Sequence, residues 1–262
     1  MTGKMAQQEG GKRKSVARGK KKFPDFRGFT LESFEFMSDL KSHNNRPWFE
    51  QNRERWEGLR EQLCSACVAL TPFIEHLDPD LETGPKSGRC LGRINRDTRF
   101  AADKRPYRDY IDILFYPSAH RRTTAPGFAL GLTFEHCYIG TWRGAQMEDW
   151  RSRFLANVAA FPDIFERYME GQKNFDDMWI ESRSYVRPRV TGLPPLADQW
   201  TRKRFYYMGL TLGAQEAAAM GENLLETVER TFVRLYPLHL FNTSEDLPAD
   251  LEAFRRRFPG SA

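Results

Sequence analysis

Residues 127–142 read GFALGLTFEHCYIGTW, and this stretch decides the fold class. In its first half, large apolar side chains alternate with small or polar ones, which is typical of a strand with one buried face. Glu135 and His136 then supply the polar residues expected at a hairpin turn, and a second apolar stretch follows. The pattern predicts two antiparallel strands at 127–134 and 136–142.

Further strand-like and helical stretches lie on both sides of this hairpin. Residue alternation predicts additional strands at 89–100, 107–116 and 205–212. Apolar residues at helical spacing predict helices over about 31–44, 45–77, 147–160, 162–171 and 214–236. The order indicates an α+β fold, with a mainly antiparallel meander sheet of four or five strands packed with N-terminal and C-terminal helices.

Two of the N-terminal helices carry boundary signals. Thr30 and Asn45 stand where a helix N-cap is expected, and Pro47 suits the first turn of the second helix. Pro72 falls within that second helix, so we expect a kink or a restart there.

The composition describes a globular chain with a sizeable core. Hydrophobic residues make up 40% and charged residues 29% of the 262 residues. There is no apolar run of 18 residues or more, and no apolar segment follows the N-terminal charges. We therefore expect a cytoplasmic protein with reduced cysteines, neither inserted in a membrane nor secreted.

The net charge of +5 is unevenly distributed. The first 22 residues hold eight basic residues and one acidic residue, so the remaining 240 residues sum to −2. We expect a disordered basic tail at 1–25, a single domain at 26–245 and a C-terminal extension at 246–262. The tail fits a solvated leader, a nonspecific arm for phosphate backbones or a nuclear-targeting segment, and its sequence does not separate these.

A second basic segment lies inside the domain. Residues 86–108 hold eight basic and two acidic residues, a local charge of +6, and the stretch 93–107 reads RINRDTRFAADKRPY. If 89–100 is a strand, Arg93 and Arg99 lie on the same face of the sheet. Closely spaced guanidiniums bind phosphate or carboxylate oxygens in a bidentate manner. We therefore predict a site for an anionic small molecule or nucleic acid, with these ligand-binding residues: Arg93, Arg96, Arg99, Lys104, Tyr107 and Trp48.

Two other interpretations of this segment stay open. In an enzyme, Asp97 or Asp103 would act as a general base while the arginines stabilise negative charge. In a structural or partner-binding protein, the same charges would form an internal ladder of salt bridges without a ligand. The oligomeric state is not indicated by the sequence.

Motifs for better-known chemistry are missing from the sequence. It contains no nucleophile elbow, no Walker A loop and no dinucleotide-binding glycine motif after a strand. The five histidines are far apart, so we expect no metal and no cofactor. Cys64 and Cys67 form a C-x-x-C pattern in the middle of a predicted helix, where core packing explains them best.

The order of several motifs resembles a family of conserved hypothetical proteins from bacteria and fungi that consists of a domain of unknown function. The resemblance runs from about Phe26 to Leu240. It is carried by these residues: Asn44, Asn45, Trp48, Phe49, Arg93, Arg96, Asp97, Arg99, Phe100, Asp103, Lys104, Pro106, Tyr107, Gly140 and Trp142. Ala101 and Ala102 depart from the residues common in the family, as does the basic tail. The resemblance implies a single α+β domain, but no activity, cofactor or catalytic residue.

Overall fold

The computed structural model describes residues 23–173, 178–187 and 192–260. Most of the predicted basic tail therefore lies outside the described residues. The elements, in chain order, are α1 (Leu31–Ser42), α2 (Arg46–Gln51), α3 (Arg53–Leu77), β1 (Ile111–Phe115), β2 (Gly127–Leu132), β3 (His136–Arg143), α4 (Glu148–Ala160), α5 (Pro162–Lys173), β4 (Met178–Ser184), α6 (Pro195–Thr201), β5 (Lys203–Gly213), α7 (Ala214–Met220), a 3₁₀ turn (Gly221–Asn223), α8 (Leu224–Thr243) and α9 (Leu247–Arg257).

The strands form one antiparallel sheet in the order β1-β2-β3-β5-β4. The hairpin predicted at 127–142 is confirmed, with Phe128 opposite Thr141 and Leu132 opposite Cys137. The strand predicted at 205–212 is also confirmed as β5, which pairs with β3. Helices precede and follow the central strands, so the predicted α+β class is confirmed.

The strand predicted at 89–100 is wrong. Its backbone follows β1 only briefly, where Gly92 N–H donates to Asp112 O at 2.8 Å and Leu114 N–H donates to Cys90 O at 2.8 Å. Beyond residue 92 the chain leaves the sheet, because β1 itself extends only over Ile111–Phe115 rather than the predicted 107–116. The fifth strand is instead β4, at the opposite edge of the sheet.

Side-chain alternation gives the sheet two different faces. One face packs with α3 and α8 in the main core through these residues: Ile111, Ile113, Phe115, Phe128, Leu130, Leu132, Cys137 and Ile139. The opposite face carries a smaller cluster that includes Leu114 and Ala129, with Tyr138, Trp142 and Tyr207 packed against it. We call this opposite face the aromatic face.

The N-terminal helix boundaries agree with the sequence signals in part. Asn45 Oδ1 accepts a hydrogen bond from Trp48 N–H at 3.0 Å and so caps α2. Thr30 occupies the N-cap position of α1, but its side chain makes no capping hydrogen bond. Of the kink or restart predicted at Pro72, the restart does not occur, because α3 contains Pro72 and runs on to Leu77; the break between helices falls at Asn52.

The helix predicted at 214–236 is divided into α7 and α8. The division falls at Gly221, which has a positive φ of 56°. At this point Gly28 crosses so closely that a Cβ on Gly28 would lie 2.6 Å from the Cα of Gly221. The close backbone contact explains why the helix cannot continue there.

The C-terminal residues form a further helix of the domain. The predicted extension at 246–262 contains α9, whose Leu247, Leu251 and Phe254 are buried in the main core. Among the helices of the described residues, none combines the length and hydropathy needed to cross a bilayer.

Candidate anion site

The arginine-rich segment forms an irregular hairpin beside the sheet. Arg96 N–H donates to Pro106 O, and Arg108 N–H donates to Ile94 O, both at 2.8 Å. Asn95 pairs with Tyr107 in an isolated bridge between these two bonds. The arginines therefore project from a loop rather than from a sheet face, which corrects the prediction that they lie along a strand.

Ion pairs within this hairpin hold its two acidic residues. Asp103 accepts from Arg96 at 2.5 Å and from Arg105 at 2.8 Å. Asp97 accepts from Arg99 at 2.6 Å, although both of these side chains are largely exposed. The Arg99 hydrogen bonds lower the pKa of Asp97 to about 2, and the Arg105 and Arg96 hydrogen bonds also lower the pKa of Asp103. Both carboxyl groups are consequently ionised and paired at neutral pH.

The two aromatic residues expected to stack on a ligand have other partners. Tyr107 is buried, and its ring stacks on Phe49 with the ring centroids 4.1 Å apart. Its backbone is held by Asn44, which accepts from Tyr107 N–H at 3.0 Å and donates to Tyr107 O at 3.1 Å. Trp48 stacks between His43 and Phe36. Tyr107 thus anchors the hairpin to α2, whereas Trp48 packs α2 against α1.

A cavity of about 910 Å³ lies between this hairpin and the β1–β2 connection. We call it the arginine cavity. Among the described residues, seven arginines and two acidic residues line it: Arg89, Arg93, Arg96, Arg99, Arg108, Arg121 and Arg122, with Glu82 and Asp97. Thr98, Ser118 and His120 add hydrogen-bonding side chains to the lining. Three of the predicted ligand-binding residues, Arg93, Arg96 and Arg99, therefore share one concave site.

The other predicted residues fall outside this lining. Lys104 is exposed and donates from Nζ to Thr98 O at 3.0 Å. Asp103 is engaged by Arg96 and Arg105 at the base of the hairpin. The described lining of the arginine cavity does not include these four predicted residues: Trp48, Asp103, Lys104 and Tyr107.

The guanidiniums of the cavity differ in whether they already have a hydrogen-bond or ion-pair partner. Arg89, Arg96, Arg99 and Arg122 each form an ion pair, and Arg108 donates to Tyr110 Oη at 2.7 Å. Arg93 and Arg121 are exposed, and within the described parts of the chain neither side chain makes a hydrogen bond or an ion pair. These two side chains have five N–H donors each that are open to an incoming anion.

Sequence reasoning missed Arg121 and Arg122 because they lie outside the segment 86–108. They belong to the β1–β2 connection, which reads YPSAHRRTTAP at 116–126. The consecutive His120, Arg121 and Arg122 were the available signal. Only the tertiary fold shows that this loop faces the arginine-rich hairpin across a shared cavity.

Arg122 is fixed by a buried ion pair with Asp112 of β1. The two side chains are only 12% and 11% exposed. Burial raises the pKa of Asp112, and the Arg122 charge and hydrogen bond oppose this shift. Gly92 leaves the space for the pair, since a Cβ at this position would overlap Asp112 Oδ1. The pair lies at the boundary of the arginine cavity, where Arg122 is part of the lining.

A second cavity of about 590 Å³ lies on the aromatic face. We call it the aromatic cleft. Its lining includes Tyr110, Phe134, Tyr138, Trp142 and Tyr207. Arg108, Arg122 and Thr123 line both the aromatic cleft and the arginine cavity, so the two spaces adjoin.

The described residues hold no set of three histidine, cysteine or carboxylate side chains that is placed to bind a metal ion. Cys64 and Cys67 are buried on α3. Their burial agrees with the core-packing interpretation of the C-x-x-C pattern.

Fold and site together define a class: an α+β domain with a five-stranded antiparallel sheet and an arginine-lined cavity at one edge. The model of a conserved hypothetical protein family, DUF2461, matches residues 32–241. Since this match covers most of the chain, the protein belongs to that family, and the resemblance found in the sequence is confirmed. No curated protein matches the chain.

Proposed function

We propose that the protein binds a phosphorylated ligand in the arginine cavity. The supporting observation is the excess of positive charge, since seven arginines and two acidic residues line this cavity in the described part of the chain. Arg93 and Arg121 carry most of the argument, because their guanidiniums have no partner among the described residues. Guanidiniums form bidentate, charge-assisted hydrogen bonds with phosphate oxygens.

The catalytic alternative has less support. A general base at neutral pH works best with a pKa near 7. Asp97 has a pKa of about 2 because Arg99 binds its ionised form, and the pKa of Asp103 is lowered in the same way by Arg105 and Arg96. Both carboxylates are better suited to orienting arginines than to accepting a proton.

The structural alternative accounts for part of the segment only. The pairs that Arg96 and Arg99 form with Asp103 and Asp97 match an internal ladder of salt bridges. Such a ladder leaves Arg93 and Arg121 unexplained. A phosphate group between the hairpin and the β1–β2 connection would contact these two side chains together with the paired arginines.

Calorimetric titration with tripolyphosphate tests the proposal. Replacing Arg93 with alanine removes charge-assisted hydrogen bonds worth about 1.5–3 kcal/mol each. We expect Arg93→Ala and Arg121→Ala each to weaken binding by about 10- to 100-fold and to leave the melting temperature unchanged. The affinity is expected to fall as salt is added.

Arg256→Ala is the matched control, because Arg256 is an exposed arginine of α9 that pairs with Glu252 and does not line the arginine cavity as described. It changes the net charge by the same amount and should retain the wild-type affinity. Equal losses in all three variants would mean that net charge, and not this cavity, attracts the anion.

A further inference from the structure

We infer that the phosphorylated ligand is a nucleotide whose base occupies the aromatic cleft while its phosphate lies in the arginine cavity. This inference rests on the proposed function and specifies its ligand class. The first support is continuity, since Arg108, Arg122 and Thr123 line both spaces. A ligand held at its phosphate by the arginines would therefore place its remaining part in the cleft.

The lining of the aromatic cleft suits a flat ring. Tyr138 and Trp142 lie on the same face of β3, four residues and thus about 13 Å apart. Between them the sheet has little side-chain bulk, because Gly140 pairs with Ala129 on β2 and with Gly209 on β5. The space above these small residues is bounded by aromatic rings at both ends.

The glycines on this face are required by the sheet itself. A Cβ on Gly140 would lie 2.9 Å from Gly209 Cα, and a Cβ on Gly131 would overlap the ring of Tyr138. The ring of Tyr138 therefore lies over Gly131, and its edge meets Tyr207 with the ring centroids 5.8 Å apart. The aromatic side chains are fixed in place before any ligand arrives, which lowers the entropic cost of stacking.

Polar groups around the cleft can contact the edge of a base. Thr133, Glu135, Gln146 and Glu181 belong to the lining and offer both donors and acceptors. An apolar face with a few polar groups at its rim is typical of ligand sites.

A calorimetric comparison of ATP with tripolyphosphate tests the inference. Stacking of one base contributes enough for about a tenfold difference in affinity. We expect ATP to bind the wild-type chain at least tenfold more tightly than tripolyphosphate. Trp142→Leu should abolish this difference and leave the affinity for tripolyphosphate unchanged.

Two further variants make the result unambiguous. Tyr110→Leu, at a partly exposed position of the cleft, is expected to reduce the preference for ATP even if Trp142→Leu lowers stability. Trp48→Leu is the matched control, because Trp48 is a half-buried aromatic residue outside the cleft. It should retain the full preference.

The outcomes separate this inference from the proposed function. If ATP and tripolyphosphate bind equally and both depend on Arg93, the nucleotide inference is overturned while anion binding stands. If neither binds, both are overturned. Titration with AMP and with a 12-residue oligo-dA distinguishes a free nucleotide from single-stranded nucleic acid. If either one binds more tightly than tripolyphosphate and Trp142→Leu removes this difference, the inference is supported.

Discussion

The buried ion pair between Asp112 and Arg122 provides a stringent test of the site architecture. Both side chains are about nine-tenths buried, so Asp112→Asn leaves the Arg122 guanidinium charged without its counterion. Removing one partner of a buried pair costs about 3–5 kcal/mol. In a domain of this size each kcal/mol lowers the melting temperature by about 2–4 °C, so we expect a decrease of about 6–20 °C.

Thermal unfolding followed by circular dichroism measures this loss, and a double-mutant cycle assigns it to the pair. Arg122→Met alone should also destabilise, because Asp112 then lacks its counterion. The double variant Asp112→Asn/Arg122→Met buries no charge, so its loss of stability should be smaller than the sum of the two single losses, with a coupling energy of about 2 kcal/mol. It should not recover affinity for tripolyphosphate, since one cavity arginine is missing.

Asp97→Asn is the matched control for this experiment. Asp97 is also a carboxylate bound to an arginine within the site, but it and Arg99 are largely exposed. Solvent screens such pairs, so the melting temperature should not change measurably. If Asp112→Asn lowers the melting temperature no more than Asp97→Asn does, the reasoning from burial is refuted.

Two other predictions concern the framework of the domain. Burial between Phe128 and Tyr236 lowers the pKa of His239 to about 4, so the unfolded chain takes up a proton between pH 6.5 and 4 that the folded chain does not. The contribution of His239 to stability is therefore fully present above pH 6.5, and the free energy of unfolding falls by about 3 kcal/mol as the pH drops to 4. Chemical denaturation across this pH range should show a smaller decrease in His239→Phe than in the wild-type chain. An equal decrease would contradict the assignment of this pH dependence to His239. Asn44→Ala removes both side-chain hydrogen bonds to the Tyr107 backbone and should lower the free energy of unfolding by about 1–3 kcal/mol. Urea denaturation measures this loss. An unchanged midpoint would show that the hairpin does not depend on Asn44.

The central hairpin was predictable from the sequence because the alternation of its side chains indicates which residues face the core. In its first strand, large apolar side chains alternate with small ones, and Phe128, Leu130 and Leu132 lie on the core face as the pattern requires. Asn45 was predictable for a similar reason, since a side-chain cap depends only on residues next to it in the chain.

The incorrect predictions share a different physical cause. Residues 89–100 alternate like a strand, but Arg96 and Arg99 form ion pairs within the hairpin, and the neighbouring strand begins only at Ile111. The strand β4 was missed because residues 180–184 are polar or exposed and lie at a sheet edge. The break at Gly221 depends on Gly28, which is distant in sequence and close in space.

The residue types of the candidate anion site were predictable from the sequence, but its shape was not. Arg93, Arg96 and Arg99 were identified because they lie in a dense basic segment. Arg121 was missed, because it comes from the β1–β2 connection and meets the other arginines only in the folded chain. Tyr107 and Trp48 were assigned a stacking role from residue type, whereas the fold uses both for packing and supplies other aromatic residues at the cleft.

The most direct test of the account is the affinity for tripolyphosphate of the intact chain and of the double variant Arg93→Ala/Arg121→Ala, measured at low and at moderate salt. These guanidiniums have no partner among the described residues, so the account predicts salt-sensitive binding by the wild-type chain and at least a 100-fold weaker affinity in the double variant, which remains folded. An unchanged affinity in the double variant, or no binding by the wild-type chain at either salt concentration, would contradict it.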